Sequence, residues 1–160
     1  MTLPAEKLIT INDRGARTAT TFGSVTAGGA DMVFIKKLTA SADANLTFVD
    51  GASSVVLDST YKEYLFTFNN IHPATDDSKL LVNFRDGGTN YDATKTTTFF
   101  RAQHSEGGAN GNLSYRTDDD LAQSTAAQPL TMDIGNANDE SASGSLTLFN
   151  PSDTTFIKHF

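Results

Sequence analysis

The sharpest hydrophobic pattern in the chain is an alternation: Tyr64, Phe66 and Phe68 take every second place, separated by Leu65, Thr67 and Asn69. Strand side chains point alternately to two faces, so this spacing predicts a strand with one buried face. It stops at Asn70-Ile71-His72-Pro73, because Pro73 has no N–H to give to a ladder. The same period recurs in Leu80, Val82 and Phe84, which Asp86-Gly87-Gly88 ends. It returns in Leu130-Thr131-Met132-Asp133-Ile134 and in Leu146 and Leu148. Apolar runs of strand length occur at Leu8-Ile9-Thr10-Ile11, Met32-Val33-Phe34-Ile35, Leu46-Thr47-Phe48-Val49 and Ser54-Val55-Val56-Leu57-Asp58. Thr94 to Ala102 is β-branched and aromatic, and Phe99-Phe100 would put one ring on each face. Asn110-Gly111 is a type I′ turn dipeptide, so 94–117 reads as a hairpin returning through Leu113-Ser114-Tyr115-Arg116. Asp118 to Ala127 suits one short helical turn, since Asp favours caps. Asn150-Pro151-Ser152-Asp153 suits a type I turn, with Phe156-Ile157-Lys158-His159-Phe160 as the returning strand.

About ten short strands joined by turn chemistry predict an all-β fold, an antiparallel β-sandwich of jelly-roll type. No strand alternates with a long helix, and no fixed-period repeat is visible, so α/β and solenoid folds are disfavoured. Residues 1–29 are poor in core material. They hold a possible helical turn at Thr2-Leu3-Pro4-Ala5-Glu6-Lys7-Leu8 and a Thr/Ala/Gly/Ser stretch with Phe22 and Val25 as its larger apolar groups. The expectation is an N-terminal extended arm over 1–29, used for attachment or oligomer contact, and a sandwich domain over 30–160. Phe160 falls within an apolar strand, which would leave a costly open sheet edge. Either a neighbouring chain covers that edge or the domain continues beyond it.

Composition supports the fold class. The chain has 160 residues, with 15 Asp against 4 Glu, 22 Thr, 13 Ser, 11 Asn and 12 Gly. This profile favours turns and strands over helices. A net charge of −7 argues against a nucleic-acid-binding surface. The absence of cysteine excludes disulfides, thiolate metal sites and cysteine nucleophiles. Apolar runs of about four residues are far short of the roughly 20 needed to cross a bilayer, and Met1-Thr2-Leu3-Pro4-Ala5-Glu6 lacks the basic start of a signal peptide. No membrane insertion is expected.

Candidate chemistry is sparse. His72, His104 and His159 show no metal-ligand spacing and read as strand-end or surface residues. Asp118, Asp119 and Asp120 cluster in one loop, as do Asp76 and Asp77, and close carboxylates can hold Ca²⁺. The EF-hand pattern is missing, so solvated turns and caps are the commoner reading, with Asp118, Asp119 and Asp120 as a weak calcium candidate. A carboxylate pair for glycoside hydrolysis is a distant reading, because Glu6, Glu63, Glu106 and Glu140 are the only glutamates. There is no G-x-S-x-G elbow and no phosphate-binding glycine loop. Tyr91 and Tyr115 lie near loops and are weak candidates for a glycan-stacking surface. No catalytic residue and no cofactor are expected, and the chain does not read as an enzyme.

Several segments resemble a domain common in marine bacteriophage virion proteins of the tail-fibre or appendage type. They are Phe34-Ile35-Lys36-Lys37-Leu38-Thr39-Ala40-Ser41, Asp58-Ser59-Thr60-Tyr61-Lys62-Glu63-Tyr64, Asn70-Ile71-His72-Pro73, Thr97-Thr98-Phe99-Phe100-Arg101-Ala102, Leu121-Ala122-Gln123-Ser124-Thr125 and 143–160. The resemblance covers about residues 33–160 in register and matches the N-terminal part of that domain. It implies a virion structural protein, a component of a tail fibre or similar appendage that contributes to host-surface attachment. It further implies a homotrimer whose partners are its own copies, other tail or capsid proteins, and a host surface glycan. The alternative is a capsid decoration protein that cements the phage head.

Overall fold

The computed structural model describes residues 32–160. The predicted helical turn at 2–8, the strand at 8–11 and the arm at 1–29 lie outside the described residues. The chain divides into two units, Met1–Ile35 and Lys36–Phe160. The second carries six strands: β1 (Glu63–Ile71), β2 (Leu81–Val82), β3 (Phe100–His104), β4 (Gly111–Tyr115), β5 (Gln128–Pro129) and β6 (Ala142–Phe149). No helix occurs among the described residues, and the fold is all-β.

The strands pair antiparallel in three two-stranded sheets, β1 with β6, β2 with β5 and β3 with β4. These pairings are nested. The chain runs out through β1, β2 and β3, turns, and returns through β4, β5 and β6. Bridges fill the gaps between sheets: Ser78 pairs with Ile134, and Lys95 with Ser124. Residues 63–149 thus form one interrupted antiparallel ribbon with its tip at the β3–β4 turn.

The β1 periodicity is realised. Tyr64 is buried and Phe66 and Phe68 are half-buried, while Glu63, Leu65, Thr67 and Asn69 are exposed. Across the ladder Tyr64 meets Leu148 and Phe66 meets Leu146, and both leucines are buried. The Phe48 ring stands edge-on to Phe66, with centroids 5.4 Å apart. The register slips between Phe68 and Ile71, where Asn70 takes a φ of 53°. Asparagine tolerates this left-handed conformation better than most residues, and its N–H is held by Ser143 Oγ at 3.0 Å. The Asn150–Asp153 turn also forms, with the Asp153 N–H donating to the Asn150 carbonyl at 3.1 Å.

Other expected elements are shorter or differ. Met32–Ile35, Leu46–Val49 and Ser54–Asp58 are not assigned as strands, and among the described residues no segment forms a ladder with them. The 80–84 and 130–134 alternations give only two-residue strands and single bridges. The 156–160 segment makes one bridge, Phe149 with His159, and the Phe160 ring packs on Phe84 with centroids 4.9 Å apart. Asp118–Ala127 holds a turn at 117–119 rather than a helical turn. The predicted hairpin forms, but Asn110-Gly111 is not its turn centre: Gly111 already pairs with His104. The reversal spans Ser105–Asn110, with the Ser105 N–H donating to Asn110 O at 2.9 Å. The positive φ falls on Gly108, at 72°.

Candidate functional site

The core of the described residues is small. Its buried apolar side chains are Val55, Tyr64, Ile134, Leu146 and Leu148, and no side chain falls below 2 % exposure. Between the Ser78–Ile134 bridge and the ribbon tip, the buried residues are polar: Lys95, Asp119 and Gln128. Gln128 Nε2 donates to the Asp119 and Pro129 carbonyls at 3.0 and 2.9 Å, and Thr97 Oγ1 donates to Gln128 Oε1. The Asp119 carboxylate accepts from Lys79 Nζ at 2.7 Å and Arg116 Nε at 3.4 Å. Lys95, 5 % exposed, donates to Asn83 Oδ1 at 2.5 Å and to the Ala93 carbonyl at 2.6 Å.

The β3–β4 hairpin is inside out. Directly opposite residues share a face. One face therefore carries Phe100 with Tyr115 and Ala102 with Leu113. That face is open: Phe100 is 66 % exposed and Leu113 is 76 % exposed. The Phe100 and Tyr115 rings meet edge-to-face, 5.1 Å apart. The other face carries the half-buried pair Arg101 and Ser114. There Arg101 Nε and Ser114 Oγ are buried without a hydrogen-bond partner. Arg101 Nη1 lies 3.5 Å from Asp133 Oδ2. On this side an open groove of about 430 Å³ runs between Phe99–Gln103 and Leu130–Asp133.

Of the predicted site residues the structure brings Tyr115 and Asp120 together and places Tyr91 elsewhere, beside Arg85. Asp119 is engaged by Lys79 and Arg116, and Asp120 accepts from the Tyr115 hydroxyl. The hydrogen bond to Asp120 is the main cause that holds the Tyr115 phenol above its ordinary pKa. Asp118, Asp119 and Asp120 do not converge: among the described residues no three His, Cys, Asp or Glu side chains gather so as to hold an ion. The expected result is therefore a melting temperature unchanged by EDTA or by millimolar Ca²⁺. A calcium-dependent rise would restore the loop as a metal site. Tyr91 lies under the Arg85 guanidinium, 5.2 Å from the ring centroid, while Tyr115 belongs to the hairpin face. His72 bonds the Ala137 carbonyl at 2.9 Å, and His159 sits at the Phe149 bridge.

Arg101, Asn83, Lys95 and Gln128 carry the polar interior, and none stood out in the sequence. The available signal was Lys95 itself, the only charge in the run from Thr94 to Phe100. Comparison with known protein families, with curated proteins and with solved structures finds no match to this chain. The likeness to phage virion proteins rests on the quoted segments alone.

Proposed function

We propose that this chain is a structural subunit of a phage virion, part of a tail fibre or similar appendage, whose sheets are completed by copies of itself. The observation that carries this reading is the inverted hairpin, with Phe100, Leu113 and Tyr115 facing outward. An isolated two-stranded hairpin is marginal in water, and three or more strands with a covered apolar face are needed for independent stability. Among the described residues each sheet has two strands, and on this reading copies of the chain supply further strands and cover for the apolar face. A copy of the same chain brings the same apolar face, which suits a closed symmetric assembly; the homotrimer is the state that the resemblance implies. The nested pairing is also how a jelly roll is wound, from one long antiparallel ribbon whose halves curl over each other. The jelly-roll reading rests on that pairing order. Host attachment, with a surface glycan as the ligand, rests on the resemblance.

Light scattering after size exclusion tests assembly. The expected mass is about three chains. Leu113→Asp puts a charge on the apolar face and is expected to reduce the particle to one chain. A wild-type monomer that keeps its fold would overturn self-assembly and favour a decoration subunit. That alternative predicts binding to assembled capsids, read by sedimentation with empty heads.

A further inference from the structure

We infer that the β3–β4 hairpins of neighbouring copies add to one another edge to edge, the β4 edge of one copy against the β3 edge of the next. The inference rests on the self-assembly reading above and names the contact that carries it.

Both edges of the hairpin are open. In an antiparallel pair, directly opposite residues alternate between those that exchange N–H···O bonds and those that do not. The Arg116 N–H donates to the Phe99 carbonyl and the Ser105 N–H to the Asn110 carbonyl, each at 2.9 Å. Between these two ends the bonded pairs are Arg101 with Ser114 and Gln103 with Asn112. The pairs Phe100–Tyr115, Ala102–Leu113 and His104–Gly111 therefore turn their N–H and C=O groups away from the hairpin. Among the described residues none of those backbone groups has a hydrogen-bond partner. The residues with unpaired backbone are thus the same alternate set that carries the exposed apolar face. Natural sheets shield such an edge with charge, proline or a bulge. The β4 strand, Gly111-Asn112-Leu113-Ser114-Tyr115, has neither charge nor proline, and its ladder with β3 runs without a slip. Beside β3 there is room for a strand: Phe99–Gln103 form one wall of the groove of about 430 Å³, and Leu130–Asp133 form the other.

The occupant is a second copy, because one hairpin offers two open edges that run in opposite directions. A foreign strand would cover one edge and leave the other bare. When β4 of one copy lies antiparallel to β3 of the next, all the hairpin tips stay at one end, so the contact repeats by rotation and can close. A closed ring has no edge left over. It places Phe100, Leu113 and Tyr115 of every copy inside, against one another. The Arg101–Ser114 face stays outside, where Arg101 already reaches Asp133 of its own chain.

Amide hydrogen exchange of the full-length protein, read residue by residue by NMR, tests this against the Leu113→Asp monomer. In the assembled wild type the outward Phe100, Ala102 and Tyr115 amides are expected to exchange about a hundredfold more slowly than in the monomer. The Arg101 and Ser114 amides, bonded inside the hairpin, are expected to be slow in both and so report that it is folded. Ala102→Pro removes an outward N–H and blocks the β3 edge while leaving the apolar face in place. It is expected to give a single chain by light scattering, whereas Ala102→Thr, which keeps the N–H, assembles as wild type does. A wild-type assembly whose outward amides exchange as fast as the monomer's overturns edge pairing and leaves self-assembly standing; so does an Ala102→Pro protein that still assembles. Where a variant loses the Arg101 and Ser114 protection, the wild-type rates decide: slow outward amides support the pairing and fast ones overturn it. A monomeric wild type overturns both readings, and slow outward amides in that monomer would assign the cover to another segment of the same chain.

Discussion

Tyr64→Ala is expected to destabilise the fold by about 3–5 kcal/mol, the usual cost of removing a buried aromatic ring. Tyr64 is 3 % exposed, opposes Leu148 across the ladder and stands edge-on to Tyr61 with centroids 5.9 Å apart. With so few buried apolar side chains in the described residues, the surroundings have little other material to refill the space. The hydroxyl is a separate contribution: it donates to the Asp58 carbonyl at 2.8 Å. Tyr64→Phe keeps the ring and loses that bond, at a cost of about 1 kcal/mol. Burial is the main cause that pushes the phenol pKa up, so it stays protonated and able to donate across the neutral range. Urea unfolding at fixed protein concentration measures both variants. An Ala variant that costs no more than the Phe variant would mean that the β1–β6 face does not hold the fold.

The second large effect belongs to Asp119. Its side chain is 2 % exposed, and it anchors Lys79 across the ribbon and Arg116 in the same turn. Removing one partner of a buried pair costs about 3–5 kcal/mol when the others stay buried. Here Lys79 and Arg116 are each about a third exposed. Asp119→Ala leaves them able to reach water, and the expected loss falls to about 2 kcal/mol. The Lys79 hydrogen bond is the first cause that holds the Asp119 carboxyl below the usual carboxylate range, with burial opposing and Arg116 adding. A carboxyl lowered in the folded state stabilises above its unfolded pKa of about 4. That stabilisation fades as pH falls through the lower folded value. Asp119→Asn should therefore be less stable than wild type at pH 7, and the gap should close below about pH 4. A gap that is constant from pH 7 to 2 would show that the ion pair contributes nothing.

The two sites differ in how readable they were. Tyr64 was visible in the sequence, because an exposed-to-buried alternation is a property of one segment and needs no knowledge of its partner. Asp119 was visible as one of three adjacent acids, which invited a metal reading. What separates it from Asp118 and Asp120 is Lys79, forty positions away, and no local pattern encodes that approach. The hairpin shows both sides of the same limit. Its existence and approximate strands followed from β-branched and aromatic residues around a turn dipeptide. Its turn centre did not, because Gly108 takes the positive φ and Gly111 enters the ladder.

The sequence by itself determined the strand-rich class, the buried face of β1, the hairpin at the centre of the chain and the turn at Asn150–Asp153. Each is set by neighbouring residues: side-chain period, backbone restriction by Pro and Gly, and turn-forming Asn and Asp. The tertiary structure alone decided the nested pairing, the outward turning of Phe100 and Leu113, and the meeting of Lys95 with Asn83. These depend on which distant segment supplies the second half of each ladder. Alternation names two faces of a strand and leaves open which of them meets the rest of the chain.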